Sequence, residues 1–491
     1  MPLSLNEFIA TIDSRKVESQ NALPPIEAIA HAEASLPVSL PDTGMGLENL
    51  KQHLLDDIVP GLNRPNSSSN YYGFIIGGST DASMFADYIV SGFDQNVQVY
   101  TPKEAIGGTV ENAALRLLQQ LLRIDEADFP GRIFTTGATA SNILGLALGR
   151  EFAVAAAGRR RSPPSSPSVA QLGVLQACLQ ARVRKIQVLT TLPHSSLYKA
   201  ASIVGLGINS VVSLPLSPEE PWRFDLDALE RKLSDSDGVA HIISISAGEV
   251  NTGRFATSSE EMIHIRALAD KYGAWIHVDG AFGLQARVLL PSESHKSIVD
   301  GIHSIHLADS LTGDAHKLLN VPYDCGFFLT RHLALQQAVF QNGASVIPDT
   351  AEIPSAHNLA MENSRRLRAL PMYASLLAYG RTWHRTLLER QIELARAIAA
   401  YILASESYEL LPKNSDLKDV YMIVFFRARS VALNDGLASK LNASRVIYVS
   451  GSQWDGAPAT RLAVSTWRVD VERDTARVVT ELERVARGSE H

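Results

Sequence analysis

From residue 185 to residue 330, short apolar runs alternate with segments of helical spacing, and this alternation restricts the fold more than any other feature. Strands are expected at 185–189, 210–214, 240–246, 274–279, 303–309 and 325–330, with a helix opening at His194 and another over 258–272. That order is the signature of an α/β layer. The last third changes character. A long helical region over 376–403 precedes expected strands at 420–427, 446–450 and 460–467, and 470–485 reads as a closing helix. Upstream, 26–33 and 47–58 are amphipathic and helical, and 102–123 reads as a long helix.

A chain of 491 residues exceeds one ordinary domain and can bury a large core. Its net charge of -7 gives no electrostatic case for nucleic acid. Cys178 and Cys325 lie far apart and form no metal-ligand pattern, so no metal is expected. Sparse cysteine suits a reducing compartment, and 1–19 has no apolar run of signal-peptide type, so the expected location is cytoplasmic. No apolar run is long enough for a membrane span. Residues 158–167, basic and rich in Pro and Ser, read as a mobile surface loop.

Three stretches carry chemistry. In Asp314-Ala315-His316-Lys317 a lysine stands beside a histidine, with apolar residues close behind. A lysine whose pKa is lowered by burial can attack a carbonyl and form an imine. The apolar run 274–283 ends in Asp279-Gly280-Ala281, which suits a flat ligand lying near the backbone. An amine for an aldehyde and a carboxylate for a ring nitrogen are the two protein groups that pyridoxal phosphate needs. Finally, 132–142 passes from strand to helix through Gly137, Ala138, Thr139 and Ser141, where amides, hydroxyls and the helix dipole offer a phosphate site. Plain helix capping explains that turn equally well. The aromatic, glycine-rich run 71–78 has two readings of equal weight, a substrate wall and core packing.

Taken together and in order, these pieces resemble the pyridoxal-phosphate-dependent group II amino-acid decarboxylases, the family of aromatic-L-amino-acid and glutamate decarboxylases. The likeness runs from about residue 70 to about residue 470. It includes 136–142, His194 with Lys199-Ala200, 248–253, 277–281, 314–317, 364–368 and 461–468. It implies a large cofactor-binding domain of the PLP-dependent transferase type, with a mostly parallel seven-stranded sheet, over 101–368. It also implies a smaller α+β domain over 369–491 and an N-terminal helical dimerisation segment over 1–100. The assembly implied is a homodimer with interfacial active sites.

The resemblance assigns Lys317 to the cofactor aldehyde, Asp279 to the ring nitrogen, His194 to one ring face and Ala281 to the other. Ala138, Thr139 and His316 fall on the phosphate side. Tyr71, Tyr72, Phe74, Phe93, Asn96 and His357 are the expected substrate contacts. The reaction implied is decarboxylation of an L-amino acid to its amine. The aromatic residues near Tyr71 point to an aromatic or apolar side chain, although core packing explains them too. Two departures from the family pattern stand out. No tyrosine occurs between Thr330 and Leu370, where relatives carry one on a mobile loop for protonation; His332, Phe340 and His357 are there instead. Glu249-Val250-Asn251-Thr252 also stands where relatives often have consecutive threonines. The competing outcomes with the same cofactor are aldehyde-forming decarboxylation or oxidative deamination, aldol-type C–C cleavage and transamination. A non-catalytic regulatory or scaffold role is the alternative of a different class, and the intact Lys317 and Asp279 argue against it.

Overall fold

The computed structural model describes residues 10–12, 21–235, 237–341, 353–413 and 415–488. The chain divides into two compact units, one of 79–389 with 415–421 and one of 1–78, 390–414 and 422–491. The boundaries expected at 100 and 368 do not coincide with these breaks.

The N-terminal part of the smaller unit holds helices α1 (Ile26–Ser35) and α2 (Leu47–Gln52), neither of which buries a residue. In the larger unit, helices α3 (Asp81–Gly92) and α4 (Gly107–Leu121) lead to strand β1 (Gly131–Thr135) and helix α5 (Ala138–Arg159). Then follow β2 (Lys185–Thr190), helix α6 (Ser195–Ile203), β3 (Val211–Ser213), β4 (Val239–Ser246), helix α7 (Ser259–Tyr272) and β5 (Trp275–Asp279). Helix α8 (Lys296–His303), β6 (Ser310–Asp314) and β7 (Gly326–Thr330) complete the layer. The sheet has seven strands in the order β1-β7-β6-β5-β4-β2-β3. Strand β7 runs antiparallel to both its neighbours, and the other pairs are parallel. The mostly parallel seven-stranded sheet expected of the sequence is therefore the one observed. Its central strands are buried almost end to end, as strands covered on both faces must be.

Helix α5 is buried along most of its length and packs closely because it is built of small residues. A Cβ on Gly145 would lie 2.3 Å from His277 Nδ1, and one on Gly149 would lie 2.9 Å from Trp275 Cδ1. Glycine one helical turn apart thus lets the helix backbone settle onto β5. Helix α7 starts with a reciprocal capping box between Ser258 and Glu261 and stops at Gly273, whose φ of 65° is left-handed.

Two expected strands fall elsewhere. Residues 304–307 wind into a 3-10 turn, and the strand begins only at Ser310. Buried Asp309 accounts for the register: it accepts from Ile276 N at 2.7 Å, Arg266 Nη1 at 3.0 Å and His332 Nε2 at 3.0 Å, which pins the start of β6. Likewise 446–450 gives a single bridge, Tyr448 to Tyr71, before a strand starts at Ser450. The insert at 158–167, expected to be mobile, is tied down, with Ser165 N on Gly158 O at 3.1 Å and Ser165 Oγ on Gln180 O at 3.4 Å.

The smaller unit has a four-stranded antiparallel sheet of β8 (Tyr408–Leu411), β9 (Ile423–Ala428), β10 (Ser450–Trp454) and β11 (Ala457–Ala463), in the order β8-β9-β11-β10. A long helix α9 (Ala369–Ala404) is broken at Gly380, where φ is 66° and ψ 178°. Helix α10 (Val471–Ala486) closes the unit, capped by Asp470 and burying Val478, Leu482 and Val485.

Candidate active site

The parallel strands β5 and β6 end on one rim of the sheet, and each ends in a carboxylate. Ligand sites of open α/β sheets lie at this carboxyl edge. Asp279 pairs by backbone with Thr312, two residues before Asp314.

Asp314 holds the lysine. Its Oδ2 is 3.0 Å from Lys317 Nζ, and its Oδ1 accepts from Ala138 N, the first amide of α5, at 2.6 Å. One buried carboxylate therefore joins the lysine loop to the helix N-terminus. The loop itself is a hairpin between β6 and β7. Its neck is closed by Ala315 N and His316 N, which both donate to Cys325 O, at 2.9 and 3.0 Å. Lys317 Nζ also stands 5.9 Å from the centre of the Phe282 ring. His316 Nδ1 accepts from Cys325 N at 3.2 Å, and the ring stacks on Tyr323 with centroids 4.2 Å apart. Burial pushes the His316 pKa down, with Asp314 pulling the other way.

Asp279 is gripped on both oxygens. Oδ1 accepts from Ala281 N at 3.2 Å and Oδ2 from Asn142 Nδ2 at 2.8 Å. The turn that follows is tight: a Cβ on Gly280 would meet Thr312 O at 3.0 Å, and one on Gly283 would meet Ala247 O at 1.9 Å. Half-buried Ala281 lies in this turn, and half-buried Thr139 in the first turn of α5. His194 caps α6, its Nδ1 accepting from Ser196 N at 3.2 Å. Buried Glu249 closes its own loop, accepting from Asn251 N at 3.0 Å and from Thr252 N and Oγ1 at 2.8 Å each.

Lys317, His316 and Ala138 are thus gathered around Asp314, and Asp279 and His194 around Asn142. The sequence reading assigned no role to Asp314 or Asn142. The expected substrate contacts lie in several places. Within the smaller unit Tyr72 is a core residue at 0% exposure with its hydroxyl on Asn70 Oδ1, whereas Phe74 is 61% exposed. Tyr71 packs against Tyr448, the rings tilted by 36° with centroids 4.8 Å apart. Within the larger unit Phe93 is exposed, Asn96 pairs by backbone with Arg366, and buried His357 donates from Nδ1 to Gln98 O at 3.1 Å. His332 lies on Asp309, at the start of β6, and the site is at its end. A strand of that length separates the two by roughly 15 Å.

A family model described as the pyridoxal-dependent decarboxylase conserved domain matches residues 30–429. L-2,4-diaminobutyrate decarboxylase of Acinetobacter baumannii is 25% identical over 335 residues, 67% of this chain, and the match spans 62% of that protein, under two thirds of its length. Among solved structures, Oryza sativa TDC with PLP and tryptamine superposes with a TM-score of 0.80 at 19% identity, covering 100% of both chains. Rhodiola rosea 4-hydroxyphenylacetaldehyde synthase gives 0.79 at 18% identity, again over 100% of both. These two likenesses concern the fold. The matched family span carries every residue of the rim from Ala138 to Lys317, so the resemblance read from the sequence becomes membership: the chain belongs to the pyridoxal-dependent decarboxylase family.

Proposed function

We propose that this protein removes the α-carboxylate of an L-amino acid as carbon dioxide and returns the amine, with pyridoxal phosphate as cofactor. The observation that carries this reading is the rim itself: on adjacent strands, an amine held by Asp314 and a carboxylate held by Asn142 and Ala281. The residues present fit the cofactor. Lys317 supplies the amine for its aldehyde, and Asp279 retains acceptor capacity on both oxygens for a protonated ring nitrogen. Ala138, Thr139 and His316 stand at the helix N-terminus that suits a phosphate. His194 and Ala281 take the two ring faces, the alanine being small enough to leave room. Pyridoxal phosphate, when bound, supplies a carbonyl for the substrate amine and a ring that accepts the electron pair left by the departing carboxylate. The protein orients the Cα–carboxylate bond, keeps a proton on the ring nitrogen through Asp279, and returns a proton to Cα.

A second reading, aldehyde formation with consumption of oxygen, is favoured by one observation. The stretch between Thr330 and Leu370 has no tyrosine, and His332 is committed to Asp309. Incubation with a panel of L-amino acids, measuring carbon dioxide, amine, aldehyde and peroxide together, separates the two. Amine equal to carbon dioxide supports decarboxylation, aldehyde with peroxide supports the second reading, and no carbon dioxide from any amino acid defeats both.

An aromatic substrate is the finer reading. It is supported by exposed Phe74, held in left-handed backbone (φ 54°) next to Ile75 (φ 61°), with its ring 6.0 Å from that of Tyr448. A cytoplasmic homodimer with interfacial active sites is supported by free Cys178 and Cys325 and by the apolar residues left exposed on the N-terminal helices, among them Ile26, Ile29, Leu47 and Leu50.

A further inference from the structure

Beneath the rim lies a layer of polar side chains whose hydrogen bonds can run in only one direction. Trp275 Nε1 can only donate, and it is 3.1 Å from Ser310 Oγ. Ser310 has one proton to give, and His277 Nδ1 stands 2.8 Å away. On the far side of the ring, His277 Nε2 is 2.9 Å from Asn142 Oδ1. The Asn142 amide cannot be turned round, because its other end is 2.8 Å from Asp279 Oδ2 and a carboxylate only accepts. Nδ2 therefore faces Asp279, Oδ1 faces His277, and the His277 proton sits on Nε2. The Asp279 end of the chain fixes this tautomer, and with Trp275 donating to Ser310 the serine proton is free for Nδ1. Burial keeps this imidazole neutral, pushing its pKa down to about 4 against the pull of Asp279.

The second proton on Asn142 Nδ2 goes to Ser196 Oγ at 3.1 Å. Ser196 passes its own proton to His194 Nδ1 at 2.8 Å, a nitrogen that also accepts from Ser196 N. One amide thus ends two branches, one on the carboxylate and one on the imidazole.

We propose that Asn142 is the positioning residue of this site, a single side chain that sets the plane of the Asp279 carboxylate and the orientation of the His194 ring together. This rests on the pyridoxal-phosphate reading above and deepens it, since Asn142 acts through the two residues assigned to the cofactor ring. A carboxylate fixed by two donors meets the ring nitrogen with no reorganisation, and a supporting residue of this kind is worth far more than its own hydrogen bond. Gly145, one turn further along α5, leaves the space in which His277 can reach the amide.

The test uses the purified full chain, stripped of cofactor and titrated with pyridoxal phosphate. Asn142→Ala is expected to raise the dissociation constant about 10- to 100-fold and to move the pH at which the bound cofactor's absorption changes. Ser196→Ala removes only the His194 branch and is expected to weaken binding far less. An Asn142→Ala protein with a lower Tm but wild-type cofactor affinity and absorption would overturn the proposal, because the amide would then serve packing alone. Equal weakening by the two variants would overturn it as well. Should Asn142→Ala fail to fold, Asn142→Asp keeps the shape and puts an acceptor against Asp279; the same loss is expected, and wild-type affinity there is the overturning result. A wild-type protein that binds no pyridoxal phosphate would instead defeat the functional reading itself, so the two failures are told apart.

Discussion

Lys317 owes its place to Asp314, a residue 3% exposed that also satisfies the first amide of α5. Removing it leaves an amine and a backbone N–H without their acceptor at once. Asp314→Ala is expected to cost about 2–4 kcal/mol of stability, read as a lower Tm of the cofactor-free protein, and to weaken cofactor retention. Lys317→Ala is expected to abolish turnover; unchanged carbon dioxide release would rule out the assignment. At this scale the sequence was informative where chemistry sits on a strand end. Asp279 and Lys317 stood out together, a carboxylate closing an apolar run and a lysine in a small-residue motif, where either alone would say little. Asn142 and Asp314 were not, because an amide or carboxylate inside a motif has no partner until the chain is folded. One signal was available for Asn142: over 138–149 it is the one amide among small and apolar residues, and a polar group buried there must have partners.

Among the elements, α5 is the most demanding, since its glycines are fitted to particular rings of β5. Gly145→Ala would drive a methyl into the His277 imidazole, where the gap is 2.3 Å. The expected cost is about 2–3 kcal/mol, with loss of cofactor affinity beyond what the lower Tm accounts for, measured by denaturant unfolding and cofactor titration. Helix ends make a second device. The Arg287 guanidinium donates to Leu122 O and Arg123 O beyond α4, and to Ile302 O and His303 O at the end of α8, at 2.6 to 3.0 Å. A cation on the carbonyl ends of two helices is favoured by both dipoles. Arg287→Ala is expected to destabilise by about 2–4 kcal/mol, seen as a shifted denaturant midpoint. Element type was legible over most of the larger unit because period and length agreed. The misplaced strand at 303–309 shows where this fails: its residues suit a strand, but Asp309 is tied to Ile276, Arg266 and His332, and those partners are distant in sequence.

For the whole molecule, buried neutral histidines set the response to acid. Burial pushes His241, His277 and His384 from the ordinary 6.5 down to about 4. Neither ring nitrogen of His384 has a hydrogen-bond partner among the described residues. Between these values the unfolded chain binds protons that the folded chain refuses, so the stability these histidines allow falls as pH drops from 6.5 towards 4, and their contribution levels off below. Each such group costs on the order of 3 kcal/mol at full extent. His384→Phe is expected to flatten the dependence of Tm on pH across that window; an unchanged slope would show that the residue takes no part.

The reversed strand β7 has a consequence of its own. Because it runs against its neighbours, the chain returns to the sheet beside β6 with no crossover helix, and the lysine travels on a closed hairpin. The span is tied as well as closed: Leu318, Leu319, Asn320 and Val321 are buried, and Asn320 O accepts from Thr80 N at 2.9 Å, so a residue gained or lost here would carry the lysine with it.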